Sequence, residues 1–180
     1  RLVAARSAQE LNLAALSREL EVDAKTCRRW LDVLEMTGLV VELPAYSGNL
    51  SDRLIKRPKI FFMDTGLACY LTGWQSAEAM SQGTYSGAIF ETWVVSEIMK
   101  SWWFNGLVPV IYYYRDRMQK EIDLIISRNQ QLLPFEIKKS ANPSHAFKNF
   151  PALEKLGADI GFGGVLSLSP ELLPIDEKHW

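Results

Sequence analysis

Between Val110 and Lys139 three β-rich runs, "VIYYYRD", "EIDLIIS" and "LLPFEIKK", follow one another through the short polar connections "DRMQK" and "RNQQ". Val, Ile, Tyr and Phe suit a pleated, half-buried surface, and connections this short return the chain antiparallel. Any fold of this chain must therefore accommodate a three-stranded antiparallel sheet. The runs are not purely apolar, because Asp123, Glu136 and Lys138 interrupt them. In a strand, residues two apart point the same way, so Glu136 and Lys138 share one face while Phe135 and Ile137 take the other. With the turn centred near residues 129 and 130, Asp123 falls opposite or diagonal to Glu136. Two carboxylates side by side repel unless a proton or a divalent cation lies between them, and hard oxygen donors suit Mg²⁺ or Mn²⁺. A metal site is the economical expectation, with cross-strand ion pairs on a wet face as the plain alternative.

The flanking segments make this half a mixed α/β domain. Before the strands, "AIFETWVVSEIMKSWWF" carries Ile89, Trp93, Ile98 and Trp102 at spacings of four, five and four, with Phe90 and Val94 alongside. A helix apolar over so much of its surface is expected to be buried against a sheet, taking either Glu91 or Glu97 out of solvent. After the strands, "SHAFKNFPALEKLG" reads as a helix, with Pro151 marking a kink or a fresh start, and "IGFGGVLSL" as a strand that the helical crossover brings in parallel. "GADIGFGGV" is glycine-rich but lacks the Lys-Ser/Thr ending of a phosphate-binding loop, so it reads as a turn and a strand that packs closely.

The first third has a different style. "LNLAALSREL" has Leu13, Leu16 and Leu20 at helical spacing behind Asn12 as N-cap. Asp23 can cap a second helix, "AKTCRRWLDVLEMTG", with Cys27, Leu31 and Leu34 as its buried stripe and Gly38 as its stop. "LVVELP" and "PKIFFMD" follow as strands around the polar "AYSGNLSDRLIKR". Two helices and a two-stranded wing describe a winged helix-turn-helix. Its second helix offers Lys25, Thr26, Arg28 and Arg29, and its wing offers Arg53, Lys56, Arg57 and Lys59, which are the places where phosphate contacts form. Solvated surface charge explains such residues equally well. The seam lies near Asp64 to Gly87, dividing the chain into a winged-helix domain at 1–64, a linker and short helix at 65–86 whose Asp64 can cap that helix, and a mixed-sheet domain at 87–180.

Composition narrows the function classes. A formal net charge of -1 gives no global attraction to phosphate, so any nucleic-acid contact must be local. Cys27 and Cys69, far apart and without a CxxC or paired histidines, read as reduced core thiols and imply the cytoplasm. The chain has neither a membrane-length apolar run nor a signal-peptide pattern. His145 and His179 lack the neighbours that catalysis or zinc binding would need, and the six tryptophans read as core and interface mass. A chain opening on Arg1 without Met is expected to be a fragment of something longer.

The spacing D-x12-E-x-K, set in the order helix, three strands, helix, strand, resembles the PD-(D/E)xK nuclease superfamily with its restriction-endonuclease-like fold. A wider resemblance runs from about Leu2 to Gly157. "NLAALSRELEVDAKTCRRWLDVLEMTGLVVELPAYSGNLSDRLIKRPKIFFMDTGLACYLTG", "GAIFETWVVSEI", "YYYRDRMQKEIDLII" and "PFEIKKS", in this order, are similar to domain of unknown function family 4143, the C-terminal half of prokaryotic AAA-type ATPases. The resemblance implies a winged helix joined to a restriction-endonuclease-like domain, with an ATPase domain upstream in the same chain. No G-x-x-x-x-G-K-[ST] is present, so ATP binding cannot be assigned to these residues. It also implies a nuclease centre in which Asp123 and Glu136 hold Mg²⁺ or Mn²⁺, Glu91 completes the coordination and Lys138 assists catalysis. Arg115, Arg117, Lys120 and Lys139 could contact the DNA backbone. Three functions stay open: a metal-dependent nuclease, a DNA-binding module without turnover, and a protein-interaction or homo-oligomerisation half of an ATPase in which the aromatic helix faces a partner.

Overall fold

The computed structural model describes residues 1–48, 56–141 and 146–172. It is a mixed α and β structure whose chain divides into two compact units, Arg1–Leu43 with Arg57–Ser96, and Pro44–Lys56 with Glu97–Trp180.

In the first unit a 3₁₀ turn, Ala4–Arg6, leads to the two-residue strand β1 (Gln9–Glu10) and to helices α1 (Leu13–Glu19) and α2 (Ala24–Met36). The starts and stops are the expected ones. The Asn12 side chain accepts from Ala15 N at 3.0 Å, and Asp23 accepts from Thr26 N at 2.9 Å. After α2, Gly38 adopts φ 70°, and the Gly38 and Leu39 amides return to the carbonyls of Glu35 and Leu34. This is a Schellman stop, which asks for a residue that tolerates left-handed backbone. Strands β2 (Val40–Leu43) and β3 (Lys59–Phe62) pair antiparallel, and β1 joins the far side of β3, giving the order β1-β3-β2. Two helices and a three-stranded antiparallel sheet are thus the elements of this unit that the sequence led one to expect, with β1 added. Its core gathers Leu11, Leu16, Cys27, Leu31, Val40, Ile60, Phe62, Ala68 and Ile89. Two helices rather than one follow, α3 (Thr65–Leu71), capped by Asp64 at 2.8 Å, and α4 (Ala77–Gln82), before the long α5 (Ser86–Phe104).

The second unit is built on β4 (Ile111–Arg115), β5 (Glu121–Arg128) and β6 (Gln131–Lys138), an antiparallel meander. Asn129 and Gln130 form the β5–β6 turn with φ of 51° and 66°, the left-handed pair that a two-residue hairpin needs. β7 (Asp159–Ile160) and β8 (Gly164–Ser167) both run parallel to β6. One strand was expected there and two are found, because Pro134 in β6 interrupts the ladder and has no N–H to offer. The chain steps past it through Gly161-Phe162-Gly163. A Cβ on Gly163 would stand 2.5 Å from the Pro134 carbonyl oxygen.

The expected helix at Ser144 to Gly157 is corrected: its described part is two 3₁₀ segments, Ala146–Ala152 and Glu154–Leu156. Pro151 lies inside the first, where it can neither donate to an earlier carbonyl nor leave Phe150 free to stay helical. Phe150, Ala152 and Leu153 still reach the core of this unit with Ile122, Ile125 and Leu132. Ala45 forms a parallel bridge to Tyr113, so the start of the expected wing loop lies against β4. Among the described residues no helix is long and apolar enough to cross a membrane, and both cysteines are free, Cys27 buried and Cys69 half-buried.

A candidate site of two carboxylates and a lysine

β5 and β6 pair regularly from the turn as far as Leu124 opposite Phe135. On its other edge β5 changes register against β4: two steps along β4, Tyr112 to Tyr114, oppose three along β5, Ile125 to Ile122. The extra residue is a β-bulge at Asp123-Leu124, opposite Tyr113. A bulge turns a side chain out of strict alternation, and here it brings Asp123 over β6. Its Oδ2 accepts from the Ile137 amide at 2.8 Å, a side chain serving as the acceptor for that strand amide.

Lys138 Nζ lies 2.8 Å from the same Asp123 oxygen and 2.6 Å from Glu136 Oε2. The two acids are nearly closed off, with side chains 10% and 4% exposed, whereas the lysine side chain is 40% exposed. Glu136 Oε1 is buried and has no hydrogen-bond partner among the described residues. Burial first, and then the neighbouring Asp123 charge, push the Glu136 carboxyl up to about 8 in spite of Lys138. Burial works against the Lys138 ammonium, but the Asp123 charge and hydrogen bond, with Glu136 behind them, outweigh it and raise its pKa above the ordinary lysine value. The pair is thus short of positive charge and has an acceptor oxygen to spare. This chemistry fits a hard divalent cation held by Asp123 and Glu136.

The structure brings Asp123, Glu136 and Lys138 together. Glu91 belongs to the first unit, where its carboxylate meets Lys59 Nζ at 2.8 Å in a pair 15% and 4% exposed. Glu97, by contrast, is half-exposed beside Lys100. Among the described residues no group of three or more His, Cys, Asp and Glu side chains is placed to hold a metal. The Ile137 amide and the bulge are the site features that sequence reasoning missed. The only trace of them in the sequence is an aspartate in an otherwise apolar run.

The residues expected to meet nucleic acid divide differently. Lys25 and Arg29 are exposed on α2. Arg28 is engaged within its own unit by Asp32 at 2.7 Å, Glu35 at 3.0 Å and Glu42. Lys56 approaches the Arg115 carbonyl at 3.4 Å and stands 5.7 Å from the Tyr114 ring centre. Arg57 is exposed and Lys59 buried, while Arg53 lies outside the described residues, as do His145 and His179. The α2 face beside Arg29 is apolar: Trp30, Val33 and Met36 are 50%, 56% and 86% exposed, so of the core and interface roles expected for the tryptophans Trp30 does not take the core one. Of the three consecutive tyrosines, Tyr113 and Tyr114 are buried, and Tyr112 packs edge-on against Tyr46.

Comparison with known proteins matches residues 86–180 to the family described as Domain of unknown function (DUF4143). Residues 1–78 match a different one, Domain of unknown function (DUF8612), so the resemblance expected to run from Leu2 is confined to the C-terminal half. Uncharacterized protein Rv2008c of Mycobacterium tuberculosis is 33% identical over 131 residues, 73% of this chain and 29% of its own. Uncharacterized protein Mb2031c of Mycobacterium bovis matches to the same extent. The chain therefore spans less than a third of the length of these relatives. No solved structure matches it.

Proposed function

From the premise that the chain belongs to the family Domain of unknown function (DUF4143), we propose that Asp123, Glu136 and Lys138 form the centre of a metal-dependent, restriction-endonuclease-like domain that binds DNA and hydrolyses its phosphodiester bonds. The observation that carries this reading is the buried carboxylate pair with an oxygen that has no partner among the described residues and a lysine in contact with both acids. Asp123 and Glu136 would hold Mg²⁺ or Mn²⁺, which when bound lowers the pKa of a coordinated water and draws charge from the phosphate oxygens. The Ile137 amide fixes the Asp123 carboxylate. Lys138, the most exposed of the three, presents its ammonium where it can orient a water or offset charge on the phosphate. Glu91 enters the proposal only through the resemblance. Lys25 and Arg29 supply phosphate contacts, and an ATPase domain of the parent chain delivers the substrate in the cytoplasm. Incubation of plasmid or branched DNA with the chain and Mn²⁺ is the test. Cleavage that Asp123→Ala and Lys138→Ala abolish and Lys148→Ala preserves supports the proposal, and no cleavage by the unaltered chain defeats it.

One observation favours a second reading, a protein-interaction module. Trp and Met beside Arg on the α2 face are the composition of protein interfaces, and Arg28, the central cation of a DNA-reading helix, is spent on three carboxylates. Trp30→Ala would then weaken association with the ATPase half of the parent chain and leave DNA binding unchanged, measured side by side.

A further inference from the structure

We propose that Lys138 is the resident counter-cation of the Asp123–Glu136 pair and that a divalent ion binds there only by displacing the lysine ammonium, so that the site is a cation-exchange switch. The inference rests on reading the pair as a divalent-ion site, and it adds that the site is closed to metal by one of its own residues.

Three observations carry it. The ammonium contacts one oxygen of each acid, at 2.8 and 2.6 Å, and so holds the position between the charges that a dication would take over. Two cations cannot share that space, because at separations of a few Å in a screened, half-buried site the repulsion between a dication and an ammonium is large. The groups also differ in their freedom to move. Asp123 is tied to the Ile137 amide and, like Glu136, is nearly closed off, while the lysine side chain is 40% exposed. The movable member of the triad is the lysine, whose stem can swing outward and keep its charge in water. Third, the ammonium leaves Glu136 Oε1 buried and without a partner among the described residues, so the acids offer more acceptor capacity than the lysine uses.

The same residue that serves the proposed chemistry thereby opposes metal binding. Truncating it should tighten the metal while removing the catalytic group, the reverse of what a simple ligand or supporting residue would show. The exchange also gives the released ammonium a place at the mouth of the site, where a phosphate can accept it.

Calcium binding by calorimetry, together with melting temperature in chelator and in Ca²⁺, tests this on the chain itself without any turnover. Lys138→Met should bind Ca²⁺ at least about tenfold more tightly than the unaltered chain, since a competing positive charge is gone. It should also melt lower in chelator and regain more on adding Ca²⁺. Lys138→Gln, which keeps a polar end, follows the same direction and serves if the methionine variant does not fold. Binding by Lys138→Met where the unaltered chain shows none supports the proposal as well. Equal or weaker binding by both lysine variants, with binding by the unaltered chain lost in Asp123→Asn, overturns the exchange and leaves the metal site standing. No Ca²⁺ binding by the unaltered chain or by either lysine variant overturns both.

Discussion

A glutamate buried beside an aspartate makes the fold sensitive to pH even without ligand. Glu136 is held near 8, above the ordinary glutamate value of 4.5, by burial and then by the Asp123 charge. The folded chain therefore binds more protons than the unfolded chain between these values. The contribution is fully present below about 4.5 and is lost as pH rises through about 8, so stability falls over this window, with a limiting slope of about 1.4 kcal/mol per pH unit for one proton. Urea unfolding in chelator should show this decline in the unaltered chain, and Glu136→Gln should flatten it. A decline of equal slope in the variant would assign the pH dependence elsewhere. Glu91 gives a contrasting case. Its ion pair with Lys59 is nearly closed off, and removing one charge of such a pair is destabilising, so Glu91→Gln should cost roughly 3 kcal/mol of stability and leave Ca²⁺ affinity within about twofold. A tenfold loss of affinity would instead make Glu91 a ligand. At this scale the sequence was legible where strict alternation applies: Glu136 and Lys138 could be placed on one face from their spacing alone. The position of Asp123 was only bracketed, because the bulge that aims it depends on pairing with β4 and has no local code.

Elements were read well where their ends carry side-chain chemistry. Asn12, Asp23 and Asp64 each cap the helix that follows, and Gly38 ends α2, because these signals act over three or four residues of one segment. Elements defined by distant partners were missed. β1 is two residues long and exists through its pairing with β3, and the segment through Pro151 keeps helical spacing of its apolar residues while its backbone winds as 3₁₀. The step from β7 to β8 is the element most exposed to a single methyl group. Gly163→Ala would drive a Cβ to 2.5 Å from the Pro134 carbonyl, a main-chain atom that cannot rotate away, at a cost of about 1–3 kcal/mol. At Gly161 the nearest atom is the Leu133 Cδ2, the end of a side chain that can turn, so Gly161→Ala should cost less. β8 lies opposite the site strand, with Val165 beside Glu136 and Ser167 beside Lys138. Gly163→Ala should therefore weaken Ca²⁺ binding as well as lower the urea midpoint. A variant with the midpoint of the unaltered chain would show that β8 shifts freely along β6.

The whole molecule shows where a linear reading fails. Two styles of sequence were evident and the chain divides into two units, but residues 45–48 and Lys56, expected in the loop of a wing, belong to the second unit, while residues up to Ser96 of the long helix belong to the first. Such exchange depends on contacts between segments remote in sequence, which periodicity does not record. Charge is misread for the same reason: a list of basic residues does not say which of them already hold carboxylates. Arg28 is engaged by three, and the chain carries a net charge of -1, so the exposed cations of α2 are Lys25 and Arg29. Each phosphate neutralised contributes about -0.9 to the slope of log affinity against log salt on duplex DNA. Binding through α2 should therefore show a shallow slope near about -2, falling toward zero in Lys25→Ala/Arg29→Ala, while Arg28→Ala leaves it unchanged and lowers stability. A slope steeper than about -5 that survives the double variant would move the nucleic-acid face off α2 altogether, to basic residues of the second unit. Fluorescence anisotropy on a labelled duplex from low to physiological salt separates the two outcomes.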